Sequence, residues 1–169
     1  MRTRFPLTPT DDTFLTTAAH RYVHVVDLPG TPQAVWQLLI ADDALASWSV
    51  AVTEVEWMSP RPFRAGTTRV VTLGGFVSLL ERFYRWEPGS RMTFTVDAAS
   101  IPGLKHFAED IQLEPISTGT RLTWTFALEG TPALRPLLTA ASPLQRYVTQ
   151  TIARGIARRA QPASAEARR

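Results

Sequence analysis

The sequence predicts an α+β domain: a curved antiparallel sheet of six to seven strands wrapped around a long C-terminal helix, with two short helices after the first strand. Three observations carry this. First, apolar or small residues recur at Leu144, Tyr147, Val148, Thr151, Ile152, Gly155 and Ile156, the i, i+3, i+4, i+7 spacing of one buried helical face. Second, residues 49–129 are an almost unbroken succession of β-rich segments separated by short turns, which favours antiparallel neighbours. Third, Thr31-Pro32 opens a helix between the first strand and that succession, with threonine as N-cap and proline at the first helical position.

In chain order, residues 1–19 are polar, carry Pro6 and Pro9, and read as a flexible arm. Residues 20–28 form a strand that Pro29-Gly30 stops. The helix from Thr31 presents Val35, Trp36, Leu38 and Leu39, and Asp42-Asp43 closes it and starts a second short helix through Leu45 and Trp48. Strands are expected at 50–58, 68–73, 76–86 and 91–98, with Gly74-Gly75 as a tight turn and residues 59–66 as a loop. In the strand at 91–98, Met92, Phe94 and Val96 alternate with Thr93, Thr95 and Asp97, a half-buried pattern. Strands at 105–114 and 120–129 form a hairpin, residues 131–141 a partly helical connector. In the final helix, 142–160, Ser142 is the expected N-cap, Pro143 suits the first turn, and Gln145 sits where a capping box needs Glu or Gln. The opposite face carries Gln145, Arg146, Gln150, Arg154 and Arg158. The domain is thus 20–160, followed by a disordered basic tail, 161–169.

The composition narrows the classes. A chain of 169 residues with 44% hydrophobic content can bury a core without metals or disulfides. It has no cysteine, which excludes thiolate chemistry. No apolar run reaches the roughly 18 residues of a membrane span, and residues 1–12 lack the apolar core of a signal peptide, so the protein is expected to be cytoplasmic with no integral membrane association. The formal charge is +3, and the basic residues are almost all arginine, with Arg154, Arg158, Arg159, Arg168 and Arg169 crowding the end of the chain. That cluster reads either as contact with nucleic acid or anionic lipid, or as a solvated face and tail; no nucleic-acid motif accompanies it, and no nucleic-acid partner is expected.

Several signatures resemble the START-related, helix-grip superfamily, in particular its polyketide cyclase/dehydrase and lipid-transport members. The strand at 24–28 followed by Pro29-Gly30-Thr31-Pro32-Gln33-Ala34-Val35-Trp36 is similar to that family's strand and Pro-x-x-x-Val-Trp helix. Residues 42–48 are similar to its short helix ending in tryptophan, and Gly119-Thr120-Arg121-Leu122-Thr123-Trp124 to its Gly-Thr hairpin into an aromatic strand. The resemblance covers about 20–160 and implies a fold and a hydrophobic-ligand cavity, not a reaction.

Strand parity points to the cavity residues. Leu122, Trp124 and Phe126 share one face, and Phe107, Ile111 and Leu113 share theirs with Glu109. The strand at 76–86 is apolar on both faces: one parity turns Leu80, Arg82, Tyr84 and Trp86 inward, the other Leu79, Glu81, Phe83 and Arg85. Taking the first, Arg82 and Glu109 read either as a polar pair that orients a ligand carbonyl or carboxylate, or as a structural ion pair near a strand end, open to solvent. The expected ligand-binding set is Trp48, Arg82, Tyr84, Phe94, Phe107, Glu109, Trp124, Tyr147 and Thr151. His20, His24 and His106 have no metal-ligand spacing, and Ser78, Ser100, Ser117 and Ser142 lie in no nucleophile elbow; no metal, cofactor or assigned catalytic residue is expected. Three functions follow: a binder of an apolar or aromatic small molecule, lipid or polyketide-like; a cyclase/dehydrase-type enzyme using Glu109, Arg82 or a tyrosine; or an interaction module with Leu79 and Phe83 on an outer sheet face. A monomer or homodimer is expected.

Overall fold

The computed structural model describes residues 4–160, so the tail expected to be disordered, 161–169, lies outside the described residues. The elements follow as β1 (Phe5–Pro6), α1 (Phe14–Thr17), β2 (His20–Leu28), α2 (Pro32–Leu39), β3 (Val52–Trp57), β4 (Thr68–Leu73), β5 (Val77–Glu87), β6 (Arg91–Ala99), β7 (Leu104–Ile116), β8 (Gly119–Gly130), α3 (Arg135–Ala140) and α4 (Ser142–Ala160). All pairings are antiparallel, in the order β2-β8-β7-β6-β5-β4-β3, with β1 added to β6.

Local chemistry explains the ends. The Thr31 hydroxyl accepts from the Ala34 amide at 3.3 Å and Pro32 takes the first helical turn of α2. Gly74 and Gly75 turn β4 into β5 at φ of +55° and +78°, a backbone that a side chain would strain. The expected second short helix is instead a run of turns over 42–48, because Leu45 adopts φ of +65° and breaks the helical path.

The sheet curls around a core of Leu28, Phe83, Phe94, Ile111, Leu122 and Trp124. α4 does not cover it alone. Val35, Trp36 and Leu39 of α2, with Ala44, Leu45 and Trp48 from the turns, share the concave face with Ile152, Ala153 and Ile156. The buried face of α4 is also rotated from the expected one: Thr149, Ile152, Ala153, Gly155 and Ile156 are inside, while Leu144 and Tyr147 are exposed. Small residues decide this. Trp48 lies so close to Gly155 that an added Cβ would come within 2.6 Å of its carbonyl oxygen. Ser142 does not cap α4; its hydroxyl and the Gln145 amide oxygen both meet the Tyr22 hydroxyl, while Gln145 Nε2 donates to the Leu138 carbonyl.

The arm expected to be flexible is packed. β6 and β7 pair only as far as Thr95 and Ala108, and the chain at 5–8 fills the opening beyond, with Leu7 N donating to Asp97 O and Thr8 N to Lys105 O, both at 2.9 Å. Leu7 is buried against Leu79, Val96 and Ala99, and Leu15 of α1 covers Ala108 and Ala127 on the convex face. The half-buried pattern expected of β6 is lost for the same reason: Thr93 and Thr95 are buried too.

Candidate functional site

Two irregularities in the β5–β6 ladder set the interior. Asp97 is an extra residue opposite the Leu80/Glu81 step, and Tyr84 is an extra residue between Phe83 and Arg85. Each bulge shifts the alternation of one strand. On β5, Leu79, Glu81 and Phe83 point inward before the Tyr84 bulge, and Trp86 points inward after it, with its ring 5.3 Å from Trp36. Each of the two competing parities therefore describes one part of the strand.

Between the sheet and α4 lies a small, partly open cavity of about 70 Å³. Val148, Thr149 and Ile152 of α4 roof it, Phe107, Trp124 and Phe126 form one wall, and Val71, Leu73 and Leu79 the other. Two carboxylic side chains, Glu81 and Glu109, border this apolar space.

Glu81 accepts from Arg69 Nε at 2.6 Å, and both side chains are almost wholly buried. The Arg69 guanidinium is further held 5.0–5.2 Å from the ring centres of Trp57, Phe83 and Phe94. Among the described residues Glu109 forms no ion pair; its Oε2 accepts from Trp124 Nε1 at 2.7 Å. Burial pushes the Glu109 carboxyl well above the usual range, the Glu81 charge adds to this, and the Trp124 hydrogen bond and Arg69 only partly oppose it. Burial also raises Glu81, but Arg69 pulls that group back by charge and by hydrogen bond. The centre is thus an Arg69–Glu81 ion pair beside Glu109, whose neutral form burial favours; in that form it can donate through its hydroxyl and accept through its carbonyl oxygen. A third polar contact closes the roof: His24 Nε2 lies 2.8 Å from Thr149 Oγ1, whose hydroxyl also reaches the Gln145 carbonyl at 2.9 Å. Burial lowers the His24 pKa, and Arg146 and Arg154 lower it further.

Of the expected set, Phe107, Glu109 and Trp124 line the cavity. Phe94 is buried in the core behind it, against Phe83 and Arg69. Arg82 is a correction: it lies on the convex face, paired through Nε and Nη2 with both oxygens of Asp97 at 2.8 and 2.9 Å. Tyr84, the bulged residue, also points outward and donates to Asp12; burial pushes the phenol up, and the hydrogen bond to Asp12 and its charge add to this. Tyr147 is exposed, Thr151 is half-buried with its hydroxyl on the Val148 carbonyl, and Trp48 packs under α4 away from the cavity. The expected Arg82–Glu109 pair is replaced by Arg69–Glu81. Arg69 shares parity with Val71 and Leu73 in β4, the one signal by which the sequence marks it as inward. Leu79 and Phe83 are buried inside, so the outer apolar patch expected of them does not exist. Among the described residues no cluster of three His, Asp or Glu is placed to hold a metal ion.

Residues 19–161 match the model of the family described as polyketide cyclase/dehydrase and lipid transport. Uncharacterized proteins of Mycobacterium tuberculosis and Mycobacterium bovis are 37% identical over 145 residues, spanning 86% of this chain and 87% of theirs. Among solved structures, TTHA0849 from Thermus thermophilus superposes with a TM-score of 0.68 at 20% identity, covering 83% of this chain and 96% of its own. A START superfamily protein from Mycobacterium smegmatis gives 0.68 at 11% identity, covering 84% and 97%. At these identities the solved structures are similar in fold alone.

Proposed function

The chain belongs to the polyketide cyclase/dehydrase and lipid transport family, and from that premise we propose that it binds a hydrophobic small molecule, lipid or polyketide-like, between the sheet and α4. One observation carries the reading: a buried acid, Glu109, and an ion pair, Arg69–Glu81, border an otherwise apolar cavity. Apolar walls supply the driving force, and the few polar groups fix the orientation of a carbonyl or hydroxyl on the ligand. Glu109 meets either group, because its protonated form donates and accepts. The cavity of about 70 Å³ has room for a ligand's polar end and little more; drug-sized sites are roughly 300–1,000 Å³. Full entry therefore requires α4 to lift from the sheet, and the His24–Thr149 contact is one of those that must open.

Native mass spectrometry of protein purified from its source tests this. An apolar adduct is expected on the wild type and lost in Val148→Trp, which fills the cavity. An adduct retained equally by the variant would place the ligand elsewhere. A second reading, an enzyme of the cyclase/dehydrase type, is favoured by one feature: Glu109 is a buried acid with a raised pKa at the cavity wall. Recovery of a bound compound converted to a cyclised or dehydrated product, with conversion lost in Glu109→Gln, would select it.

A further inference from the structure

We propose that the outer face of α3 and α4 docks on an anionic lipid surface. From Thr131 to Ala160 the chain carries five arginines and no aspartate or glutamate. Leu144, Tyr147, Arg154 and Arg158 recur at i, i+3, i+10 and i+14, one outward stripe along α4. Its N-terminal half is apolar and open to solvent: Leu144 is 62% and Tyr147 65% exposed, and Leu137 of the adjoining α3 is 63% exposed. Arg146 and Arg154 flank this patch without a carboxylate partner among the described residues. The other three are engaged, Arg135 with Glu129, Arg159 with Asp43 and Arg158 with the Trp48 carbonyl.

An exposed leucine–tyrosine patch rimmed by arginines that have no carboxylate partner among the described residues matches the boundary between headgroups and acyl chains. Leu137, Leu144 and the Tyr147 ring enter the apolar layer, and Arg146 and Arg154 reach the phosphates above it. A second copy of the chain on the same face would bring these arginines against their own equivalents. A nucleic acid would satisfy the arginines and leave the leucines without a partner. The face is the outer side of the helix that roofs the cavity, but docking does not depend on what the cavity holds.

Flotation of the full-length chain with vesicles tests the proposal. Binding is expected to vesicles of phosphatidylglycerol with phosphatidylcholine, not to phosphatidylcholine alone, and to fall as salt rises. Loss of two surface arginines in Arg146→Gln with Arg154→Gln should weaken partitioning about thirtyfold. Leu144→Ser with Tyr147→Ser should weaken it while keeping its salt dependence. All four positions are exposed, and circular dichroism checks that the variants remain folded. No binding to anionic vesicles, equal binding to neutral ones, or undiminished binding by the arginine variant would each overturn the proposal. So would preferential binding of a DNA duplex, or a dimer in solution that Leu144→Ser abolishes. Because the adduct measurement on Val148→Trp reads the cavity alone, failure here is distinguishable from failure of the ligand-binding reading.

Discussion

Arg69 and Glu81 stabilise each other only as a pair. Both lie almost wholly out of water, and their single 2.6 Å contact together with three aromatic rings takes the place of hydration. Removing the cation in Arg69→Met should cost about 3–5 kcal/mol, because Glu81 is left as an uncompensated buried charge. Arg69→Met with Glu81→Gln should cost less than the single change, measured by chemical denaturation. Equal losses would mean that Glu81 carries no charge to strand. Glu109 has a different signature. Its pKa in the fold is raised above the ordinary value of 4.5, so the folded state holds the proton more tightly than the unfolded chain. Its contribution to stability is fully present below pH 4.5 and is lost as pH rises through the folded value. Glu109→Gln keeps an acceptor for Trp124 and cannot ionise, so the variant should lack this alkaline decline. Parallel pH profiles of unfolding free energy for the two proteins would refute the assignment.

Two elements depart from their expected packing, and each departure is measurable. Ile152 and Tyr147 fall on the same face by sequence pattern, yet Ile152 is buried and Tyr147 exposed. Ile152→Asp should destabilise by roughly 4 kcal/mol or more, whereas Tyr147→Asp should change stability by no more than about 0.5 kcal/mol. Similar melting temperatures for both would contradict the orientation of α4. The N-terminal arm is the second case. Leu7 is buried where β6 and β7 separate, so Leu7→Ala should cost about 2 kcal/mol or more in thermal or chemical unfolding. A loose arm would show no change.

At the level of the molecule, α4 roofs the cavity, and under the proposed function it is also the lid. Its C-terminal half is anchored by Gly155 and Arg158 against Trp48, and its N-terminal half by polar contacts from Tyr22 and His24. Polar contacts exchange with water more readily than close-packed ones, so opening is expected from the N-terminal half, next to the proposed lipid-docking face. A ligand held there at one hundred times its Kd adds about 2.7 kcal/mol to stability, which for a chain of this size raises Tm by roughly 5–10 °C. The same titration on Val148→Trp should leave Tm unchanged; an equal rise would remove the cavity as the binding site.

The order of strands, the Thr31-Pro32 helix start, the Gly74-Gly75 turn and the span of α4 were all determined by the sequence, because caps, turns and periodicity act over a few residues. Glu109, Phe107 and Trp124 were legible for the same reason, since β7 and β8 pair regularly through that row and simple alternation holds. What only the tertiary structure decided depends on contacts distant in the chain. The Tyr84 bulge arises from the pairing of β5 with β6, and it puts Glu81 rather than Arg82 on the same face as Trp86. The rotation of α4 follows from Gly155 meeting Trp48 and Thr149 meeting His24, over one hundred residues away in each case. Periodicity identifies a helix and its two faces, but which of two mixed faces turns inward is settled by the surface it packs against.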